Sequence, residues 1–290
     1  MVIQEVRFRF LRIPTNRLIF AESRISSKKS FEEDSVMALV HLAISIIVLG
    51  FLYRRMIIRE TPGQIGKAQA VVPVFLGVIS LPLSFAFFIL NGAIALAAGY
   101  SAADNPSLVL SSLFSAFVSA GLPEETAKLL MMLLALRIFR AKIRNVYEYI
   151  LIGAAVGFGF TLFEEFIYGS GSILSSVIRV SLVTGHMVFG VLMARHLGLA
   201  RYYKSTGSSS FQREYLLAFL IPMLIHTIYD ACVVSNKFMY STDEKMQSIG
   251  LIIGVIAVVV LLLLQIIALL QLRKDTEKYC RMTFVETAAD

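Results

Sequence analysis

The chain has 290 residues and a formal net charge of +7, with 57% apolar and only 16% charged residues. Soluble domains carry about a quarter charged residues, and the mean hydropathy here is +0.74. Together these exclude an ordinary soluble enzyme, a disordered chain and a nucleic-acid module; the basic excess reports membrane topology instead.

Residues 1–35 form a basic tail with seven Lys and Arg. Two readings of it stand: a segment lying on the membrane surface, or an extension upstream of a native start near Met37. A cleavable leader is not evident, because the first apolar run comes too late. Seven apolar segments follow, at about 36–53, 71–99, 108–139, 146–168, 175–200, 214–235 and 247–272. Each suits a membrane helix, which needs about 20 apolar residues. Pro73, Pro82 and the Asn91-Gly92 pair are expected to interrupt the second, and Gly121-Leu122-Pro123 the third. Gly153 and Gly157 form a small-xxx-small pair that permits close helix approach. Cys232 and Cys280 are too few for a disulfide framework and read as free thiols.

Charge alternates along the connections. Arg54, Arg55, Arg59 and Lys67 follow the first segment; Arg137, Arg140, Lys142 and Arg144 follow the third. Arg201, Lys204 and Arg213 follow the fifth, and Arg273, Lys274, Lys278 and Arg281 the seventh. The intervening connections 100–107 and 169–174 have no Lys or Arg. The positive-inside rule then puts the C-terminus in the cytoplasm and the N-terminus outside. The expected fold is all-α, a polytopic bundle of about seven transmembrane helices. A single transmembrane domain spans 36–272, with a motif-bearing core at about 108–235 and a cytoplasmic tail at 273–290.

Ionisable residues within spans cost roughly 2.5–3.5 kcal/mol each at the helix centre and are functional candidates by default. Here they concentrate in four segments: Glu124, Glu125 and Lys128; Glu164 and Glu165; Arg179 and His186; His226 and Asp230. Glu124 with Lys128, and His226 with Asp230, are i, i+4 pairs that share a helix face. Pro123 suits a helix first turn, so Glu124 and Glu125 are placed to open a half-helix. His186 lies about 11 residues into a span counted from 175. Five acids against two bases leave a sum of −3, which a buried cluster must offset with bound protons or a metal cation. Both outcomes suit hydrolysis, by a glutamate acting as general base or by a metal-activated water. Glu165 reads as a surface residue near Tyr168, Arg179 as snorkelling, and His196 and Glu148 as interfacial. His41 stands alone and is assigned nothing.

The ordered motifs Glu124-Glu125-x-x-Lys128, Phe160-x-x-x-Glu164, His186 and His226-x-x-x-Asp230 resemble those of the PrsW family of intramembrane proteases. The likeness covers about 120–230, with Gly157-Phe-Gly-Phe160 and Arg179 adding to it. The family more usually has Glu-Asn where this chain has Glu164-Glu165. The family is also similar to the CAAX-type prenyl endopeptidases and bacteriocin-immunity proteins. The resemblance implies cleavage of a single-pass membrane protein such as an anti-sigma factor, within regulated proteolysis.

On this reading Glu124 or Glu125 activates water, with Glu124 preferred because Lys128 lies at i+4. Lys128 holds the pair, and Glu164 shares the water or proton. His186 and His226 stabilise the oxyanion or protonate the leaving amine, and Asp230 orients His226. A metal-free glutamic mechanism is preferred. The alternative is a zinc enzyme with His186, His226, Asp230 and Glu164 as ligands. Two other classes stand beside it: a proton-coupled transporter, against which no inverted repeat is visible, and a non-catalytic immunity or scaffold protein. Expected partners are the bilayer and a membrane-protein substrate, with no nucleic acid.

Overall fold

The computed structural model describes residues 19–60, 65–99, 107–168, 179 and 182–284, with side chains described from Val36 onward. Residues 1–18, 61–64, 100–106, 169–178, 180–181 and 285–290 lie outside what is described, as do the expectations that fall on them; the second half of the basic tail, from Ile19, is helical and runs into the first apolar segment.

The described chain is helical: α1 (Ile19–Ile58), α2 (Lys67–Ala97), α3 (Leu108–Ala116), α4 (Leu122–Ile138), α5 (Val146–Tyr168), α6 (Gly185–Ser205), α7 (Phe211–Cys232) and α8 (Glu244–Arg281). A π-helical turn over Phe117–Gly121 joins α3 to α4, so the described rods number seven. Five of the rods are long and apolar enough to cross a membrane by length and composition. Their outer faces stay apolar: Ile47, Phe75, Ile89 and Ile267 are exposed, as lipid-facing positions should be. The fold is an all-α membrane bundle.

Two expected interruptions resolve differently. α2 runs unbroken through Pro73 and Pro82. Hydroxyls beside the second proline, Ser80 and Ser84, donate to the carbonyls of Gly77 and Leu81 at 2.6 and 2.7 Å. Such local bonding is how membrane helices tolerate proline. The third segment does change at Gly121-Leu-Pro123, by widening into the π turn rather than breaking. Pro123 has no N–H to continue the ladder, and a Cβ at Gly121 would collide with Thr227 of α7.

The centre of the bundle is α5, which is buried over most of its length. It lies against α6 on one side and α2 on the other. A methyl group at Gly157 would strike the His186 carbonyl, and one at Gly153 would strike that of Gly190. On the other face, a methyl group at Gly159 would strike the Val74 carbonyl. The small-xxx-small pair thus sets backbone contact with α6, as such spacing permits.

Four of the basic connections meet at one end of the bundle. Arg144 Nη2 contacts Glu60 at 3.4 Å, Gln69 Nε2 donates to the Lys142 carbonyl at 3.5 Å, and Asn145 bridges to Thr283. Arg201 lies 4.3 Å from the Phe284 ring centroid. α8 continues to Arg281, so the first half of 273–290 extends the last helix.

Candidate active site

The half-helix α4 starts the site. Glu124 and Glu125 occupy its first turn and Lys128 the next. α5 adds Phe160 and Glu164, α6 adds His186 in its first turn, and α7 adds His226 and Asp230. All seven expected residues converge. His186 arrives by a different route from the one expected, because its helix begins at Gly185 and not near 175.

The floor is closed. Glu125 and Lys128 are fully buried, and Lys128 Nζ donates to Glu125 Oε1 at 2.7 Å. The ammonium also lies 4.0 Å from the Phe160 ring centroid, a cation–π contact. His226 Nδ1 lies 2.8 Å from Glu125 Oε1. A carboxylate there makes Nδ1–H the donor and turns Nε2 into the site. Nε2 has Asp230 at 3.6 Å and Glu124 at 3.7 Å, both too long for hydrogen bonds. Glu125, not Asp230, therefore orients His226.

The mouth is partly open. Glu124 and Glu164 side chains keep 18% and 22% exposure, whereas Glu125 keeps none. Lys128 Nζ is 2.9 Å from His186 Nδ1. An ammonium can only donate, so Nδ1 accepts and His186 Nε2–H donates to Glu164 Oε2 at 2.7 Å. The two imidazole centroids are 5.3 Å apart.

Two acceptor atoms stand out. Glu124 Oε2 and Glu125 Oε2 are buried without a hydrogen-bond partner among the described residues. Glu124 Oε2 has Lys128 Nζ only at 3.5 Å. Unsatisfied buried carboxylate oxygens are costly and ask for a water, a proton or a cation. Glu124, His186 and His226 each offer a ligand atom within 4.8 Å of the others. Tetrahedral zinc ligands lie about 3.3 Å apart, and nitrogen and carboxylate donors suit that ion. Reaching that spacing from 4.8 Å asks for a closure of about 1.5 Å, and His186 would first have to release Nδ1 from Lys128 or Nε2 from Glu164. This triad shares His186 and His226 with the ligand set expected from sequence. The third ligand atom within that distance comes from Glu124, whereas the sequence reading named Glu164 and Asp230.

The charged groups that back Glu164 were not legible as partners in the sequence. Glu165 is buried and is gripped by Arg179 through two bonds, 3.1 and 3.0 Å, so it is not a surface residue. His41 Nδ1 of α1 meets the same carboxylate at 3.3 Å. Arg179 also lies 3.6 Å from Glu164. A chain thus runs from His41 through Glu165, Arg179 and Glu164 to His186. The default that an ionisable residue in a span has a function pointed to His41, but its partner is 124 positions away. His196 and Glu214 pair elsewhere, at 2.6 Å, outside this cluster.

Comparison with known proteins follows the same core. Residues 68–267 match the model of the PrsW family, described as intramembrane metalloproteases. The chain is 30% identical over 121 residues to "Protease PrsW" of Bacillus subtilis (strain 168), covering 41% of this chain and 54% of that protein. It is 28% identical over 125 residues to "Protease PrsW" of Clostridioides difficile (strain 630), covering 41% and 51%. The chain therefore spans about half the length of the curated relatives it matches. No solved structure matches. With the family match extending over more than half of its length and over every helix of the site, this chain belongs to the PrsW family.

Proposed function

We propose that this multi-pass membrane protein is an endopeptidase that hydrolyses a peptide bond of a membrane-protein substrate within or beside the bilayer. The observation that carries this reading is the unpartnered Glu124 oxygen in a partly open pocket, facing the imidazoles of His186 and His226.

Glu124 serves as the general base. It takes a proton from water as the oxygen attacks the carbonyl carbon, and passes that proton to the departing nitrogen as the C–N bond breaks. Lys128 and Glu125 hold the floor rigid. His226, doubly protonated, donates Nδ1–H to Glu125 and presents Nε2–H to the developing oxyanion. Asp230 flanks that nitrogen, and Glu164 keeps His186 turned toward the pocket. A site-directed comparison tests this. Membrane-protein N-termini are mapped by mass spectrometry in cells making the wild-type chain or Glu124→Gln at equal membrane levels. Termini near a span that appear only with wild type support a protease; identical maps under several envelope stresses overturn the reading.

A second reading is favoured by the convergence of Glu124, His186 and His226. A zinc ion held by these three would supply a water of lowered pKa and a Lewis acid for the carbonyl. Stoichiometric zinc in the purified protein, lost on His226→Ala, would select this version over the metal-free one.

The substrate class we favour is a single-pass membrane protein such as an anti-sigma factor. We also infer that the basic end of the bundle faces the cytoplasm, with the C-terminus there and the N-terminus outside, because the basic connections gather on one side. Cysteine labelling from either side of the membrane, at positions in 236–246 and near Lys204, checks that orientation.

A further inference from the structure

At the basic end, α1 and α8 leave a cleft between them with a volume of about 400 Å³. Its floor is Tyr147 of α5, whose hydroxyl is already spent on the Met56 carbonyl at 3.0 Å, so the floor presents an apolar ring. Its walls are apolar too, with Phe51 on α1 and Leu269 and Leu270 on α8. Three guanidinium groups line the same cleft: Arg55 in the last turn of α1, Arg59 just past its end at Ile58, and Arg273, just past the apolar run of α8.

Those cations are unusual for their surroundings. The Arg55 guanidinium lies 5.2 Å from the Phe51 ring centroid. Among the described residues none of the three makes an ion pair with a carboxylate. Nearby Arg144, by contrast, is paired with Glu60 and Glu148. Three like charges around one cavity repel unless an anion sits among them. The span of α1 ends at Ile58, so the charges stand at the membrane boundary with an apolar slot leading inward. Charged head and apolar slot match one class of ligand.

We propose that this cleft binds an anionic phospholipid, its phosphate on Arg55, Arg59 and Arg273 and one acyl chain along Phe51, Leu269 and Leu270. Basic pockets between membrane helices on the cytoplasmic side recognise such headgroups, and each basic residue near an anionic lipid surface contributes about fivefold in affinity. This assignment is independent of the chemistry at Glu124.

Native mass spectrometry of the purified full chain in nonionic detergent tests it. The probes are phosphatidylglycerol, phosphatidylcholine with the same acyl chains, and inorganic phosphate. Phosphatidylglycerol should remain bound and the zwitterionic lipid should not. The R55Q/R59Q/R273Q variant should bind phosphatidylglycerol on the order of a hundredfold more weakly. Equal retention of the two lipids, or full retention by the triple variant, overturns the proposal. So does displacement of the lipid by millimolar phosphate, which would mark a simple anion site. Leu270→Trp keeps every arginine and fills the acyl path; it should also lose the lipid. Should the triple variant fail to fold, retention of phosphatidylglycerol by Leu270→Trp overturns the proposal by itself.

Discussion

Two clusters of buried carboxylates sit near opposite ends of α5, and they are built to opposite ends. At the start of the helix, Glu60 and Glu148 surround Arg144. Glu60 Oε2 accepts from the Ile65 backbone N–H at 2.7 Å, and Glu148 Oε2 from that of Arg144 at 2.9 Å. Glu148 Oε1 takes Arg144 Nε at 2.7 Å and Asn145 Nδ2 at 3.4 Å. Every oxygen of both carboxylates has a partner. Sixteen residues further on, about 24 Å along the helix axis, Glu164 belongs to the other cluster, where Glu124 and Glu125 each keep a bare oxygen. A saturated carboxylate is a staple that holds loop to helix. An unsaturated one stores unspent bonding capacity, which chemistry requires and stability alone would remove.

Substitutions can break or sharpen that contrast. The largest effect is expected at Glu124→Gln, which keeps shape but removes the proposed base. Substrate processing should fall by about a thousandfold, with the thermal unfolding midpoint unchanged; normal processing would put Glu124 on the structural side. Lys128→Ala strands Glu125 in the floor without its cation. Removing one partner of a buried ion pair costs about 3–5 kcal/mol, which a detergent-denaturation series should register as a large loss of folded protein.

Arg144→Ala probes the staple. It should lower stability by about 1–3 kcal/mol, the cost of leaving buried acceptors unpaired, while turnover per folded molecule stays at the wild-type value. His41→Ala should change little in the melt and reduce processing about tenfold, by loosening Glu165 and Arg179 behind Glu164. An unaffected rate would confine His41 to packing.

The smallest effect concerns pH. Burial, and next the neighbouring Glu148, push Glu60 up to about 8 from an ordinary carboxylate value of 4.5. The folded state then binds more protons than the unfolded one between those values, so this group makes stability decline as pH rises from 4.5 to 8. Glu60→Gln should flatten that part of the stability profile; an unchanged slope would assign it to another group.

The apolar runs, their lengths and the alternation of basic connections already dictate a bundle of about seven helices, because backbone groups in lipid must bond within their own helix. The ionisable residues of the site are equally legible, since each is expensive in a span and stands out against its neighbours. Gly153 and Gly157 announce their close contact for a similar reason. The relations among those residues were decided only by tertiary structure. Helical spacing joins His226 to Asp230, yet the folded chain turns its Nδ1 to Glu125 on another helix, 101 positions away. Glu165 reads as a surface residue until α1 and Arg179 close over it. Spacing along one helix reports which side chains share a face. Partner choice across helices depends on where backbones touch, and here Gly153, Gly157 and Gly159 bring α5 against α6 and α2, and Gly121 brings the turn before α4 against α7.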